Sequence, residues 1–168
     1  GGEYAPWDRI VSSPLLRCSE FAVEVAGRLA LPLSIRPGFK EVNFGCWEGR
    51  TAAELSAESP GCIERFWHDP TRHAPAGGEP FADFDARIAQ AWRELVADFS
   101  GEHLLLVCHG GVIRTLVHQV LQTPLENLFR LNVSFAAVSR IRIVTSSDGL
   151  PMTSVIFHDG ELERRQGG

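Results

Sequence analysis

Leu104-Leu105-Leu106-Val107-Cys108-His109-Gly110-Gly111-Val112-Ile113-Arg114 carries an apolar run onto one histidine and two glycines and straight on into a helical pattern. The run is too short and too uniform for periodicity to choose a strand, but its length and the Gly-Gly that ends it favour a buried parallel strand with His109 at the carboxyl end. Glycines there let backbone approach a ligand closely, and the free N–H groups and dipole of the following helix favour negative charge. The stretch predicts an α/β fold with a phosphate pocket at His109 and Gly110.

A second strand-to-helix turn lies nearer the start. Arg9-Ile10-Val11-Ser12 reads as a short strand closed by Ser13-Pro14, and a helix follows over Leu16 to Leu29, with Phe21, Val25 and Leu29 at helical spacing and Ala22 and Ala26 beside them. Arg17, in the first turn, points to the ligand edge, where a guanidinium holds two phosphate oxygens in a fixed fork. Leu33 to Arg36 forms a further strand, and Pro37 to Gly49 an extended loop in which Glu41 is followed by Phe44 and Trp47. Aromatic neighbours shed water from a carboxylate, and burial raises its pKa, the direction a general acid requires. Taken singly, these residues fit plainer roles: a helix-pairing arginine, a solvated loop charge, a locally bonded histidine.

The remaining chain continues the alternation. Thr51 and Glu54 form a capping box for a helix to about Glu58, Ile63 to Trp67 is a short helix, and Pro75 to Pro80 is a loop. Phe81 to Phe99 is a helix with one stripe of Phe84, Ile88, Ala91, Trp92 and Leu95, Val112 to Leu121 is another, and Pro124 to Phe129 adds a turn. Ala137 to Val144 and Met152 to Phe157 read as a hairpin around Ser146 to Gly149. Strands interleaved with helices imply a three-layer α/β/α sandwich with a mostly parallel sheet, one domain over residues 1–168, and ligands outside the strands' carboxyl ends.

A formal charge of −5 and a pI of about 5.7, with no basic run, argue against nucleic acid as partner. No apolar run approaches the roughly 18 residues of a membrane span, and the four cysteines, Cys18, Cys46, Cys62 and Cys108, form no Cys-x-x-Cys pair. A cytoplasmic protein is expected, with reduced thiols, no membrane partner and no metal; Cys62, His68 and His73 match no zinc spacing.

Together, Ser12 to Cys18, Glu41 to Gly49, Phe66-Trp67-His68-Asp69-Pro70, Gly77-Gly78-Glu79 and Cys108 to Arg114 resemble, in order, the motifs of the histidine phosphatase superfamily, the phosphoglycerate mutase-like proteins. The Trp-Glu-Gly and Gly-Gly-Glu segments are most similar to its α-ribazole phosphatase group. The resemblance implies a phosphohistidine mechanism without cofactor or metal. In it Arg17, His109 and Gly110 bind the phosphoryl group, His109 stabilises its charge, and Glu41 protonates the leaving oxygen and then activates water. It implies a phosphorylated small molecule as substrate, α-ribazole 5′-phosphate of cobalamin biosynthesis first, with Trp47, Phe66 and Trp67 as stacking surfaces for its base. A broad sugar or nucleoside phosphatase, a mutase and a noncatalytic phosphate-binding domain remain alternatives, and a homodimer stays open.

One family feature has no counterpart. The attacking histidine of the family follows a strand that ends in Arg-His-Gly, with a helix after it, upstream of the Arg9 strand. Arg72-His73-Ala74 sits in a loop without such a strand, and Val155-Ile156-Phe157-His158 lacks the adjacent arginine and glycine. The expectation is a domain that is N-terminally incomplete, lacking its first strand and helix, with a slot in the middle of its sheet.

Overall fold

The computed structural model describes residues 6–145 and 151–160. Three short strands, β1 (Arg9–Ser12), β2 (Leu33–Ile35) and β3 (Leu104–Val107), form a parallel sheet in the order β2-β1-β3. Ile10 pairs with Leu33 on one side and Leu105 on the other, which makes β1 the central strand. Five helices connect them: α1 (Leu16–Leu29), α2 (Ala52–Glu58), α3 (Cys62–His68), α4 (Phe81–Asp98) and α5 (Gly110–Leu121).

Strand alternation sorts the core into two layers. Ile10, Leu105 and Val107 face α1 with Ala22, Val25 and Ala26, whereas Val11, Leu104 and Leu106 face α4 and α5 with Phe84, Ile88, Leu95, Val112 and Leu116. This is the expected three-layer sandwich. The α1 stripe differs in detail: Phe21 is 54% exposed, and the buried face is Cys18, Ala22, Val25 and Ala26. Small side chains at those positions let α1 lie close on the sheet, so the bulky Phe21 is turned outward.

Strands β4 (Val138–Thr145) and β5 (Pro151–Gly160) pair antiparallel as a separate two-stranded sheet, joined through residues outside the described range. The mostly parallel sheet is the one the sequence reading expected. Among the described residues β3 keeps one edge without a strand partner, and Leu104 to Val107 are only half-buried, while Ile10, Val11 and Ser12 of β1 are fully buried.

Two details of the loops position the site. Residues 37–49 contain short 3-10 turns at Pro37–Phe39 and Gly45–Trp47. The segment is fastened by Arg87 of α4, whose Nη1 donates to the carbonyls of Gly38 (2.8 Å) and Lys40 (2.9 Å) while its Nε and Nη2 grip Glu79 (2.9 and 2.8 Å). The Glu79 N–H in turn donates to Asn43 O at 2.8 Å. Gly45 has φ +54°, and a Cβ there would overlap the backbone of residues 76–78, so the Phe-Gly-x-Trp and Gly-Gly-Glu motifs are two halves of one contact. Thr51 and Glu54 close the capping box of α2 as expected.

Candidate active site

The carboxyl ends of β1 and β3 bring Ser13 and His109 together. His109 caps α5 and is 6% exposed, with Nε2 2.6 Å from Ser13 Oγ, and its Nδ1 accepts a hydrogen bond from Arg17 Nε at 3.2 Å. A guanidinium only donates, so Nδ1 is the acceptor and the ring is neutral, its single proton on Nε2 and given to Ser13. Burial, and then the Arg17 charge, lower the His109 pKa to about 4. An imidazolium is disfavoured twice here, by burial and by the neighbouring Arg17 charge. An oxyanion between the two side chains reverses the second cause.

Cys18 follows Arg17 on α1 and packs beside His109. Its thiol donates to Cys108 O at 3.4 Å and lies 3.6 Å from both ring nitrogens of His109. Burial pushes the Cys18 thiol up, opposed by Arg17, and pushes Cys108 up to about 12. Both are protonated at neutral pH and act as packing and weak donors.

Glu41 reaches the same helix terminus from the 37–49 loop. Its Oε2 accepts from the Gly111 N–H at 3.1 Å and its Oε1 from its neighbour's, Val42, at 3.0 Å. Burial raises its pKa, with those two N–H donors, Arg17 and Arg114 acting in the opposite sense. The helix-terminal donor assigned in the sequence to an incoming phosphate is thus occupied by a carboxylate of the chain itself. A Cβ on Gly111 would overlap Glu41 Oε1 and sit 3.0 Å from its Cδ, so that glycine accommodates Glu41. A Cβ on Gly110 would sit 3.0 Å from Arg114 Nη1 and 4.0 Å from Val133 Cγ1.

Arg17, Glu41, His109 and Gly110 therefore meet at one place, and the other histidines do not join them. His158 bridges Ser139 Oγ (2.8 Å) and Asn132 O (2.6 Å), which ties β5 to the loop before β4. His73 and Arg72 are exposed and line an open cavity of about 350 Å³ with Trp47, Cys62 and Arg65. Among the described residues no three His, Cys, Asp or Glu side chains form a metal-holding group, and no helix is long and apolar enough to cross a membrane. Of the expected stacking aromatics, Phe66 is 2% exposed at the centre of a cluster with Trp47 (5.2 Å), Phe81 (5.5 Å) and Phe129 (4.8 Å), so it offers no face to a ligand; Trp67 is 54% exposed.

Sequence reasoning missed Ser13 as the partner of His109, and also Arg114 and the Arg87–Glu79 pair. Ser13 and Glu79 were inside quoted motifs, so their position was the available signal. Arg87 carried none, because the two carbonyls it holds lie 49 and 47 residues away in sequence.

Residues 3–150 match the model of the histidine phosphatase superfamily (branch 1). The chain is 34% identical over 153 residues to the bifunctional protein Rv2228c of Mycobacterium tuberculosis, covering 91% of this chain but 41% of that protein. It is 31% identical over 140 residues to adenosylcobalamin/alpha-ribazole phosphatase of Salmonella typhimurium, covering 83% of this chain and 69% of the relative. The solved complex of a mycobacterial glucosyl-3-phosphoglycerate phosphatase with inorganic phosphate superposes with a TM-score of 0.78 at 28% identity, covering 90% of this chain and 76% of that one. With residues 3–150 matched, the chain belongs to the histidine phosphatase superfamily, branch 1.

Proposed function

We propose that the chain forms part of a phosphomonoester hydrolase that works through a phosphohistidine. The observation that carries this reading is the convergence of Arg17, His109 and a buried Glu41, whose pKa burial raises, on the first turn of α5. In the first half-reaction a histidine nitrogen attacks phosphorus, the ester P–O bond breaks, and Glu41 delivers its proton to the leaving alkoxide. Arg17 binds the equatorial oxygens. His109, protonated when an oxyanion displaces its bond with Arg17, spreads their charge, and Gly110 lets them approach the backbone. In the second half-reaction the Glu41 carboxylate takes a proton from water as the oxygen attacks phosphorus and the P–N bond breaks.

The attacking histidine in this reading comes from outside the 168 residues, on a strand ending in Arg-His-Gly. Support comes from the unpartnered edge of β3, whose carboxyl end adjoins His109, and from the half-buried leucines along it. Incubating the complete polypeptide with a phosphate ester and trapping an acid-labile phosphohistidine tests this. Absence of any phosphoenzyme, with phosphate still bound, would convert the reading to a noncatalytic phosphate-binding domain.

For the alcohol half, the motif similarity and the Salmonella relative support α-ribazole 5′-phosphate. A polar sugar-acid ester of the glucosyl-3-phosphoglycerate kind is the second reading, favoured by the cavity that Trp47 lines together with Arg65, Arg72 and His73. Relative kcat/KM for α-ribazole phosphate, phosphoglycerate esters and simple sugar phosphates decides between them, and equal slow turnover of all three defeats both.

A further inference from the structure

Arg114 is the cation that the mechanism above leaves unused. It sits on the first turns of α5, yet its guanidinium folds back toward the helix start, with Nη1 3.0 Å from where a Cβ of Gly110 would be. Two contacts hold it there: Nε donates to Leu131 O at 3.0 Å, and the guanidinium carbon stands 5.3 Å from the centroid of Phe129. Phe129 is itself fixed against Phe66 and Phe81. The next residue in the chain, Gly111, is where Glu41 docks. The two consecutive glycines thus each make room for one charged group, a guanidinium at 110 and a carboxylate at 111, on adjacent steps of the same helical turn.

We infer that Arg114 is a positioning residue for Glu41, the second cation that allows this buried carboxyl both to give up its proton and to take one back. A group that serves as acid and then as base works best when neither form is strongly favoured. Burial alone would hold Glu41 in its neutral form, and a single cation at Arg17 leaves its phosphate-facing side competing with substrate oxygens. Arg114 is anchored independently of Arg17, by Leu131 and Phe129. Other groups around Glu41 are Arg17 and Cys18 from α1 and Cys108 and His109 from the β3–α5 turn; both thiols are protonated and the imidazole is neutral, which leaves the two arginines as the charges that count. The direction of the Glu41 balance agrees, since Arg114 opposes the effect of burial, and the carboxylate in turn raises the Arg114 pKa against burial.

The inference rests on the reading of Glu41 as the proton donor, so its test uses a readout that needs no turnover. Glu41 is titrated through its carboxyl carbon resonance in the full chain and in Arg114→Met, which keeps an apolar stem over Phe129, in Arg114→Gln, and in Arg114→Lys. Arg114→Met and Arg114→Gln are expected to move the Glu41 midpoint to higher pH, and Arg114→Lys to leave it near the wild-type position. An unchanged midpoint in whichever neutral variant folds overturns the inference. An equal shift in Arg114→Lys also overturns it, since loss of the Leu131 bond rather than of charge would then be the cause. Phosphohistidine trapping is independent of this titration, so failure of the phosphatase reading and failure of this one are separately visible.

Discussion

Replacing Gly111 by alanine asks what the second glycine of the His-Gly-Gly motif is for. The new methyl would overlap Glu41 Oε1, and since that atom is the end of a flexible side chain, the carboxyl moves away rather than the backbone. It then loses the Gly111 N–H bond of 3.1 Å, a hydrogen bond to a charged group worth about 1.5–3 kcal/mol. Alanine in place of glycine inside a helix returns about 0.5–1 kcal/mol, and the displaced carboxyl regains water. Global stability should therefore change by no more than about 1–2 kcal/mol. Catalysis should not be spared, because a displaced general acid forfeits about 10²- to 10⁴-fold. The leaving group separates the two effects. An alkyl phosphate needs its departing oxygen protonated, whereas p-nitrophenolate leaves without help, and kcat/KM reports only steps up to the first irreversible bond cleavage. Gly111→Ala in the complete enzyme is expected to lower kcat/KM for an alkyl phosphate by about 10²-fold or more and for p-nitrophenyl phosphate only slightly. Glu41→Gln should do the same, and the double variant should be no worse than either. Equal losses on both substrates, or none on the alkyl ester, would refute the placement of Glu41 as the acid.

Protonation of His109 supplies a pH prediction. Its pKa is about 4 in the fold against 6.5 for the free side chain, so between those values the unfolded chain binds a proton that the folded chain does not. Stability must fall as pH drops from 6.5 to 4, by about 3 kcal/mol from this residue. Glu41, whose pKa is raised, contributes with the opposite sign, so the measurement is a comparison of urea unfolding curves across pH for wild type and His109→Gln; parallel pH profiles would contradict the buried neutral imidazole. Arg17→Lys keeps the charge but loses the guanidinium fork, and calorimetry should find phosphate or vanadate binding weakened about tenfold; unchanged affinity would remove Arg17 from the anion site. Thr51→Ala removes the side-chain half of the α2 capping box, the bond from Glu54 N–H, while leaving the residue 51 N–H on the Glu54 carboxylate, and should cost about 1 kcal/mol, read by hydrogen exchange of the α2 amides, with protection unchanged if that half is idle.

The layers of the fold were legible because β1 and β3 are short apolar runs ending at turn residues, and because alternate residues of a strand must choose between two helical layers. The convergence of Arg17, Glu41 and His109 was legible for a related reason: each motif sits at the ligand end of an element or in the loop after it. Other features depended on distances no local pattern reports. That Gly111 receives Glu41 instead of phosphate is a contact across 70 residues. The neutrality of His109 follows from Arg17 pointing its Nε at the ring. The outward turn of Phe21 reflects how closely α1 approaches the sheet, which periodicity leaves undetermined by one helical position. That one edge of β3 has no strand partner among the described residues is visible only once strands are paired.

The bond from Arg87 to the carbonyls of Gly38 and Lys40 has a practical meaning for redesign. Residues 37–49 look like an autonomous loop that could be exchanged to alter specificity, but their course is dictated by a side chain from α4, itself steadied by Glu79. A graft that transfers the loop alone would import its sequence without its curvature and leave Glu41 aimed at nothing. The transferable cassette is discontinuous, and it includes Gly78, Glu79 and Arg87.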